Sequence, residues 1–301
     1  QEGIISPNTG IYDKGTFKDA GKPYARCWIG SGSGSHGNVN VSEALEVSCN
    51  YFFYTVAYRM NKGAGDLSGI NTLNKYMEAF GLNSPTGVEI SELYDSMSQY
   101  PTHISSPEYK KYITQQRDVE AKESDYKWSA GDTIRTAIGQ SYNNYTSALM
   151  SKYVATLANG GTRYSMHFLN KITTNDGKIE EEYQPKVESK IEIKKENLDA
   201  IFRGMFLVTT GPRGTLRSYF KDFPVNVAAK SGTAQQSSKR SEHTTFVAFA
   251  PLEDPQISVC VIIPFGNGTT GPAPKVAKAA ISEYLKLDYE SELKSYDTLL
   301  H

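Results

Sequence analysis

Three stretches of this sequence decide its fold: Val225-Asn-Val-Ala-Ala-Lys-Ser231, Thr244-Thr-Phe-Val-Ala-Phe249 and Ile257-Ser-Val-Cys-Val-Ile-Ile263. Each is short and rich in β-branched, aromatic or small apolar residues, and each lies close to prolines or to polar and charged residues. This pattern is typical of β-strands that follow one another through short connections. The third stretch is apolar on both faces, so we expect it to be a central strand of the sheet.

Helical patterns surround the three strands. Apolar residues recur at helical spacing from residue 149 to residue 158 and again from residue 198 to residue 208. A last helix should follow Gly271-Pro-Ala-Pro274, and its predicted buried residues are Val276, Ala277, Ala280, Ile281 and Tyr284. Helices, then antiparallel strands, then a closing helix predict an α+β fold.

The composition excludes several classes of protein. The chain has 301 residues and a formal net charge of −1, so no basic field attracts nucleic acid. Its longest apolar run, residues 257–265, is far shorter than the ~20 residues that a membrane span needs. The chain opens on Gln1 without a signal peptide, and we expect a fragment of a longer protein. Three cysteines exclude a complete disulfide framework, and Cys260, inside an apolar run, is predicted to be a small buried hydrophobe.

The first candidate motif is Lys230-Ser-Gly-Thr233, at the end of the first predicted strand. A cation and two hydroxyl groups suit the binding of a substrate carboxylate and an acyl group. Gly232 has no side chain that would keep a ligand away from the strand edge. Taken alone, the motif is weak, because a lysine at a strand end is commonly just solvated.

The second candidate motif is Ser48-Cys-Asn50. Residues two apart on a continuous helix do not share a face. The chain must therefore turn between two helices if Ser48 and Asn50 are to meet in one cleft, and Cys49 would then point away from that cleft. The first of these helices should start at Asn40, with Glu43 as its capping partner.

Together and in this order, the two motifs resemble the second and third signature motifs of penicillin-binding proteins. The likeness continues along most of the chain and is greatest to the elongation-type class B members. The stretches that carry it are Gly37–Phe53, Ala130–Ile134, Ile138–Tyr142, Leu157–Thr162, Gly204–Val208, Ala229–Gln235 and Phe246–Pro251.

The resemblance implies a penicillin-binding/transpeptidase fold, with an antiparallel sheet flanked by helices and an all-helical subdomain. We assign residues 1–301 to the C-terminal portion of a single transpeptidase domain. Residues 1–160 would form the mostly helical part with the second motif. Residues 161–301 would hold the sheet, the third motif and the C-terminal helix.

The activity implied by the resemblance is acyl transfer by a serine D,D-transpeptidase. A serine attacks the penultimate D-alanine of a peptidoglycan stem peptide, and an amine of a neighbouring stem resolves the acyl-enzyme; β-lactams acylate the same serine. By the same resemblance, Ser48 relays a proton, Asn50 holds the substrate amide and Lys230 shapes the electrostatics of the relay. Ser231 and Thr233 contact the carboxylate, and the Thr233 N–H supplies half of an oxyanion hole.

The resemblance also predicts parts that should lie upstream of this sequence; the match Ser218-Tyr-Phe-Lys221 follows the second motif and so falls in the wrong place. The family's Ser-x-x-Lys motif should lie just upstream of Gln1, together with the first strands of the sheet. We therefore expect an upstream segment that carries the nucleophile and a membrane anchor, and that holds the domain on the extracytoplasmic face of a bacterial membrane. A membrane glycosyltransferase is the implied partner.

Four residues that can bind metal lie around the second motif: Asp13, Cys27, His36 and Cys49. Two thiolates, one imidazole and one carboxylate complete a tetrahedral zinc site. Some elongation-type relatives are reported to hold a structural zinc beside this motif through Asp, Asp, His and Cys. We predict a structural zinc that fixes the second motif. A Cys27–Cys49 disulfide and two unrelated buried thiols are the alternatives.

Three functions fit these motifs. A D,D-transpeptidase that builds the lateral wall is the favoured one. A β-lactam sensor or scaffold without turnover is the second, and the intact set of Ser48, Asn50, Lys230 and Thr233 argues against it. A secreted β-lactamase is the third. It ranks last because more residues separate Ser48 from Lys230 than the compact fold of that enzyme allows.

Overall fold

The computed structural model describes residues 1–31, 34–61, 66–90, 102–234, 241–266 and 271–288. Its helices are α1 (Val41–Glu46), α2 (Asn50–Met60), α3 (Ser68–Ala79), α4 (Pro107–Arg117), α5 (Glu123–Tyr126), α6 (Ala130–Thr136), α7 (Ser147–Ala158), α8 (Lys195–Thr210), α9 (Arg217–Phe220) and α10 (Ala273–Leu285). Its strands are β1 (Ile11–Tyr12), β2 (Thr16–Phe17), β3 (Ala25–Arg26), β4 (Asn38–Val39), β5 (Thr162–Tyr164), β6 (Lys171–Thr173), β7 (Ile179–Glu182), β8 (Val187–Lys190), β9 (Ala228–Ala234), β10 (His243–Ala250) and β11 (Ile257–Ile263).

The three predicted strands form one antiparallel sheet in the order β11-β10-β9, which confirms the α+β prediction. The first strand begins three residues later than its sequence pattern indicates. Pairing of His243 with Ala234 sets the register, so β9 runs through the whole Lys230–Thr233 motif.

The third predicted strand is not the central one of the described sheet. Among the described residues, β10 lies in the middle and β11 lies at an edge, with all of its residues partly exposed. In β10, Phe246 and Ala248 pack on one face while Val247 and Phe249 pack on the other. Small alanines let helices approach both faces of a strand closely, so β10 is the more buried strand although it is less apolar.

Helices cover both faces of the sheet. One face packs against α9 and α10 through a core that includes Phe220, Ala277 and Ile281. The other face packs against α7 and α8. The predicted burial of Val276 and Tyr284 was wrong, because their side chains are 42% and 60% exposed. Cys260, predicted to be buried, is only partly so.

The two-part helix around Ser48 is present as predicted. The side chain of Asn40 accepts from the backbone of Glu43, and Glu43 accepts in return, so α1 begins with a complete capping box. The helix ends at Glu46, and α2 starts at Asn50.

Helix α1 lies directly against α8. Ser42 Oγ donates to the carbonyl oxygen of Ala200 at 2.7 Å. A Cβ at Gly204 would lie 2.6 Å from Leu45 Cδ1 and 3.0 Å from Ser42 Cα. Only glycine therefore permits this separation between the two helices.

The remaining segments are peripheral. Residues 162–190 form the hairpin β6–β7, which turns at Asn175–Gly177, and the outer pair β5–β8. The polar stretch 83–130 contains α4 and α5, and its residues 91–101 lie outside the described residues. In the described part of the chain, no helix is both long enough and apolar enough to span a membrane.

We expect Gly204→Ala to lower the free energy of unfolding by about 1–3 kcal/mol, because the added methyl group overpacks the contact between α1 and α8. In an open helix the same change would stabilise by up to about 1 kcal/mol. Urea unfolding measures the difference. Arg203→Ala, at the exposed neighbouring position, is the control and should change the value by less than about 0.5 kcal/mol. A stabilised Gly204→Ala variant would contradict the close contact.

Candidate active site

The site is built on a three-residue break between α1 and α2. Ser48, in the middle of the break, has a φ of 53°, a left-handed conformation that costs roughly 1–2 kcal/mol for a residue other than glycine. Its N–H donates to the carbonyl oxygen of Leu45 at 3.2 Å, and the N–H of Cys49 donates to that of Ala44 at 2.8 Å. The predicted turn is thus confirmed, and it directs Ser48 and Cys49 to different surroundings.

Lys230 on β9 meets Ser48 across this break. Its Nζ donates to Ser48 Oγ at 2.8 Å and to the carbonyl oxygen of Ser231 at 2.8 Å, although Ser48 and Lys230 are 182 residues apart. Burial withdraws the amine from water and lowers the pKa of Lys230 to about 8. A lysine with this pKa exchanges protons near neutral pH, which suits a relay to a hydroxyl group.

The other residues of the two motifs surround this pair. Asn50 is the first residue of α2 and is partly exposed. Gly232 and Thr233 are partly exposed on β9, which is an edge strand of the described sheet. A Cβ at Gly232 would touch only Thr245, at 3.6 Å. The free side of β9 can therefore pair with an extended chain, which is how a sheet edge recognises a peptide.

Ser231 is more buried than the other residues of its motif. It is 6% exposed, and its Oγ lies 3.4 Å from Thr215 Oγ1. Successive residues of a strand point to opposite faces, so Ser231 lies on the same face of β9 as Thr233, and Lys230 lies on the other face. The sequence reasoning did not single out Thr215, although the glycines at 211 and 214 mark its loop as a tight turn.

The four predicted metal ligands lie together directly behind the break. Their donor atoms all lie within 4.8 Å of one another. The two Sγ atoms are 4.0 Å apart, Cys27 Sγ is 3.4 Å from His36 Nδ1, and Cys49 Sγ is 3.6 Å from Asp13 Oδ2. His36 Nδ1 is 2.8 Å from Asp13 Oδ2. The strand pairs β1–β4 and β2–β3 bring these residues together.

The donor set fits a tetrahedral zinc ion. Around such an ion, two sulfurs lie about 3.8 Å apart and a sulfur lies about 3.5 Å from a nitrogen or oxygen. The sulfur distances in this cluster are close to these values. All three cysteines are free thiols, so the alternative of a Cys27–Cys49 disulfide is not the state of this structure.

Electrostatics prepare two of the four donors to bind a cation. Burial raises the pKa of Asp13, but the backbone N–H groups of Gly15 and His36 and the His36 ring outweigh it and hold that pKa below its usual range. The hydrogen bond between the two thiols lowers the pKa of Cys27 below that of an ordinary thiol. Both shifts favour the charged forms that bind a cation.

Trp28 connects this cluster to the break, and the sequence reasoning missed it. Its indole N–H donates to the carbonyl oxygen of Val47 at 3.1 Å, and its ring lies 5.3 Å from the His36 ring. It follows Cys27 directly in the chain, so the loop that supplies two of the four donors also holds the residue before Ser48. Its position next to a candidate ligand was the available signal.

Comparisons with known proteins agree with this geometry. Residues 1–283 match the family described as "Penicillin binding protein transpeptidase domain". The peptidoglycan D,D-transpeptidase MrdA of Escherichia coli strain K12 is 32% identical over 301 residues, which cover 95% of this chain and 43% of that protein. The chain thus spans less than half the length of this relative.

Solved structures share the fold. Pseudomonas aeruginosa PBP2, in complex with WCK 5153, gives a TM-score of 0.71 at 28% identity, covering 96% of this chain and 58% of that one. PBP-2B of Streptococcus pneumoniae strain R6 gives a TM-score of 0.75 at 23% identity, covering 95% and 45%. With both motifs assembled and the family matched over nearly all of its length, the chain belongs to the penicillin-binding protein transpeptidase family.

Proposed function

We propose that the protein containing this chain is a peptidoglycan D,D-transpeptidase that works through a serine acyl-enzyme and is inhibited by β-lactams. The hydrogen bond between Lys230 Nζ and Ser48 Oγ carries the proposal, because it joins two motifs that have no structural need to meet. A binding scaffold without turnover would not need a lysine with a lowered pKa beside a hydroxyl group.

In this mechanism, the residues of the chain bind the donor peptide and move a proton. The free side of β9 takes the extended stem peptide, with Thr233 at its carboxylate and the Thr233 N–H at the developing oxyanion. Asn50 holds the substrate amide. Ser48 passes a proton between the leaving amine and the base, and Lys230 stabilises the charge that develops on Ser48 Oγ. Ser231, on the same face of β9 as Thr233, would contact the same carboxylate.

The nucleophilic serine would come from an upstream segment of the same protein. The length of a relative supports this, because MrdA is more than twice as long as the part that this chain matches.

Fluorescent penicillin tests the proposal on the complete protein, upstream segment included. We expect one covalent label per molecule, on a serine of a Ser-x-x-Lys motif outside this chain. Lys230→Ala should lower the second-order rate constant of acylation by at least about 100-fold, because the proton relay loses its cation. Lys195→Ala, at an exposed lysine at the start of α8, is the control and should leave this rate constant unchanged.

The outcome also separates the competing functions. A folded protein without label would support a stem-peptide-binding scaffold. A label lost within seconds would support a β-lactamase. A Lys230→Ala variant acylated at the wild-type rate would contradict the role of Lys230.

The lowered pKa of Lys230 makes a separate prediction. The folded protein binds fewer protons at Lys230 than the unfolded chain between about pH 8 and pH 10.4, so the free energy of unfolding contributed by Lys230 rises with pH across this window. With ¹³C-dimethylated lysines, one resonance should titrate near pH 8 and the surface lysines near ~10.4. Loss of one resonance in Lys230→Arg assigns that resonance to Lys230. If the Lys230 resonance titrated together with those of the surface lysines, its amine would not be desolvated.

We propose in addition that Asp13, Cys27, His36 and Cys49 bind a structural zinc ion. Bound there, zinc would supply a fixed link between the strand pairs of residues 11–39 and Cys49, with no open position for chemistry. The fit of the donor distances and the buried carboxylate support this. With zinc bound, the four ligands would keep Cys49, and with it the break that contains Ser48, in a fixed position.

Metal analysis of the purified protein should find about one zinc per molecule. Cys49→Ser should weaken zinc binding by more than about 100-fold and lower the melting temperature, because one ligand is lost. Chelation should also change the fluorescence of Trp28, next to His36. Cys260→Ser, at the cysteine outside the cluster, should keep both zinc and stability. Equal zinc contents in Cys49→Ser and wild type would contradict the site.

The location and the partners follow from the same proposal. The protein would act on stem peptides at the extracytoplasmic face of a bacterial membrane, held there by an anchor outside this chain. A membrane glycosyltransferase that supplies fresh glycan strands is the partner that a lateral-wall transpeptidase requires.

A further inference from the structure

Glu46, the last residue of α1, has no role in the mechanism above and yet is buried. Its side chain is 5% exposed, and a buried carboxylate is costly unless it is paired and hydrogen-bonded. Its partners come from a distant loop. The backbone N–H of Arg213 donates to Glu46 Oε1 at 3.0 Å, and Arg213 Nη2 lies 3.9 Å from Glu46 Oε2.

The loop is shaped to receive this carboxylate. It joins α8 to α9, and a Cβ at Gly211 would collide with Glu46 Oε1 and lie 2.7 Å from the carbonyl oxygen of Leu207. The first residue of the loop therefore has to be a glycine for the carboxylate to fit against it. In this position the carboxylate contacts both the backbone and the side chain of Arg213.

The same loop is tied to the strand that carries Lys230. Thr209 Oγ1, at the end of α8, donates to the carbonyl oxygen of Val227 at 2.7 Å in a buried position. Thr215 Oγ1 lies 3.4 Å from Ser231 Oγ. The segment 209–215 is thus bound at one end to Val227, the residue before β9, and lies at the other end next to Ser231 on β9, with the contact to Glu46 in between.

The guanidinium group of Arg213 adds a third connection. Its Nη1 donates to the carbonyl oxygen of His36 at 3.3 Å. One residue therefore links the end of α1 to the loop that bears a predicted metal ligand. Arg213 is half-exposed, whereas Glu46 is enclosed, so the carboxylate is the fixed centre of this network.

We propose that Glu46 is a positioning residue that sets the distance between Ser48 Oγ and Lys230 Nζ. Ser48 is two residues beyond Glu46, and Lys230 lies on the strand to which the Arg213 loop is bound. Through its contacts with the Arg213 loop, the carboxylate therefore connects the segment that carries Ser48 with the strand that carries Lys230. The expected effect of Glu46 on acylation rests on the proposed function, whereas its effect on the distance between Ser48 and Lys230 rests on geometry alone.

The kinetic test compares Glu46→Ala with Glu46→Gln in the complete protein. We expect Glu46→Ala to lower the limiting rate constant of acylation by a penicillin about 10- to 100-fold, since a displacement of about 1 Å costs that much. The half-saturating concentration should change by less than about twofold, because the residues that bind substrate are untouched. Glu46→Gln keeps an oxygen for the Arg213 N–H and should recover most of the rate.

Glu43→Ala is the matched control. Glu43 lies on the same helix and accepts from the backbone N–H of Asn40. Its loss weakens the helix start and should lower the melting temperature by a few degrees, while the acylation rate constant of the folded protein stays at the wild-type value. If Glu46 only stabilised the fold, both alanine variants would lower the melting temperature and neither would change this rate constant.

Amide hydrogen exchange tests the geometry without any activity. In Glu46→Ala, the N–H groups of Ser48 and Cys49 should exchange at least about tenfold faster, while those of β10 keep their rates. If wild type is not acylated, the proposed function fails and the exchange result still decides the role of Glu46. Wild-type exchange and wild-type acylation in Glu46→Ala would overturn the inference.

Discussion

The hydrogen bond between Lys230 and Ser48 is the constraint around which the described structure is arranged. Ser48 makes this bond from a left-handed backbone conformation, which is unfavourable for a serine in an isolated chain. The surrounding contacts hold it there, since four consecutive residues are each bound by a different part of the molecule. Glu46 is bound by Arg213, Val47 by Trp28, Ser48 by Lys230 and Cys49 by the cluster with Asp13.

This arrangement explains why helix packing and site chemistry cannot be separated in this fold. Helix α1 carries the break, and its distance from α8 is set at Gly204, where a methyl group would already be too large. Helix α8 in turn holds the entry of β9 through Thr209. A change of even a fraction of an ångström between these helices would be transmitted to the 2.8 Å contact, because closely packed interiors transmit strain.

The sequence predicted the parts of the site that obey local rules. The capping box at Asn40 and the need to separate Ser48 from Asn50 located the break, and the apolar stretches located the sheet. It could not predict the contacts of Glu46 or Trp28. A glutamate at the end of an amphipathic helix is indistinguishable from a solvated one until the distant loop that covers it is known. The greater burial of β10 was missed for a related reason, since it depends on helices that are close to its alanines only in the folded molecule.

The contacts that hold residues 46–49 also have a consequence for how the protein folds. Two of them join residues that are 167 and 182 positions apart, and contacts of such long range form late because chain closure has to precede them. The helices and hairpins can form early, but the left-handed serine has no partner until β9 and the loop before it are in place. The break at Ser48 is therefore among the last parts of the domain to become ordered. A nascent or misassembled chain would carry the two motifs apart from each other, so the contact between Lys230 and Ser48 would report that folding is complete.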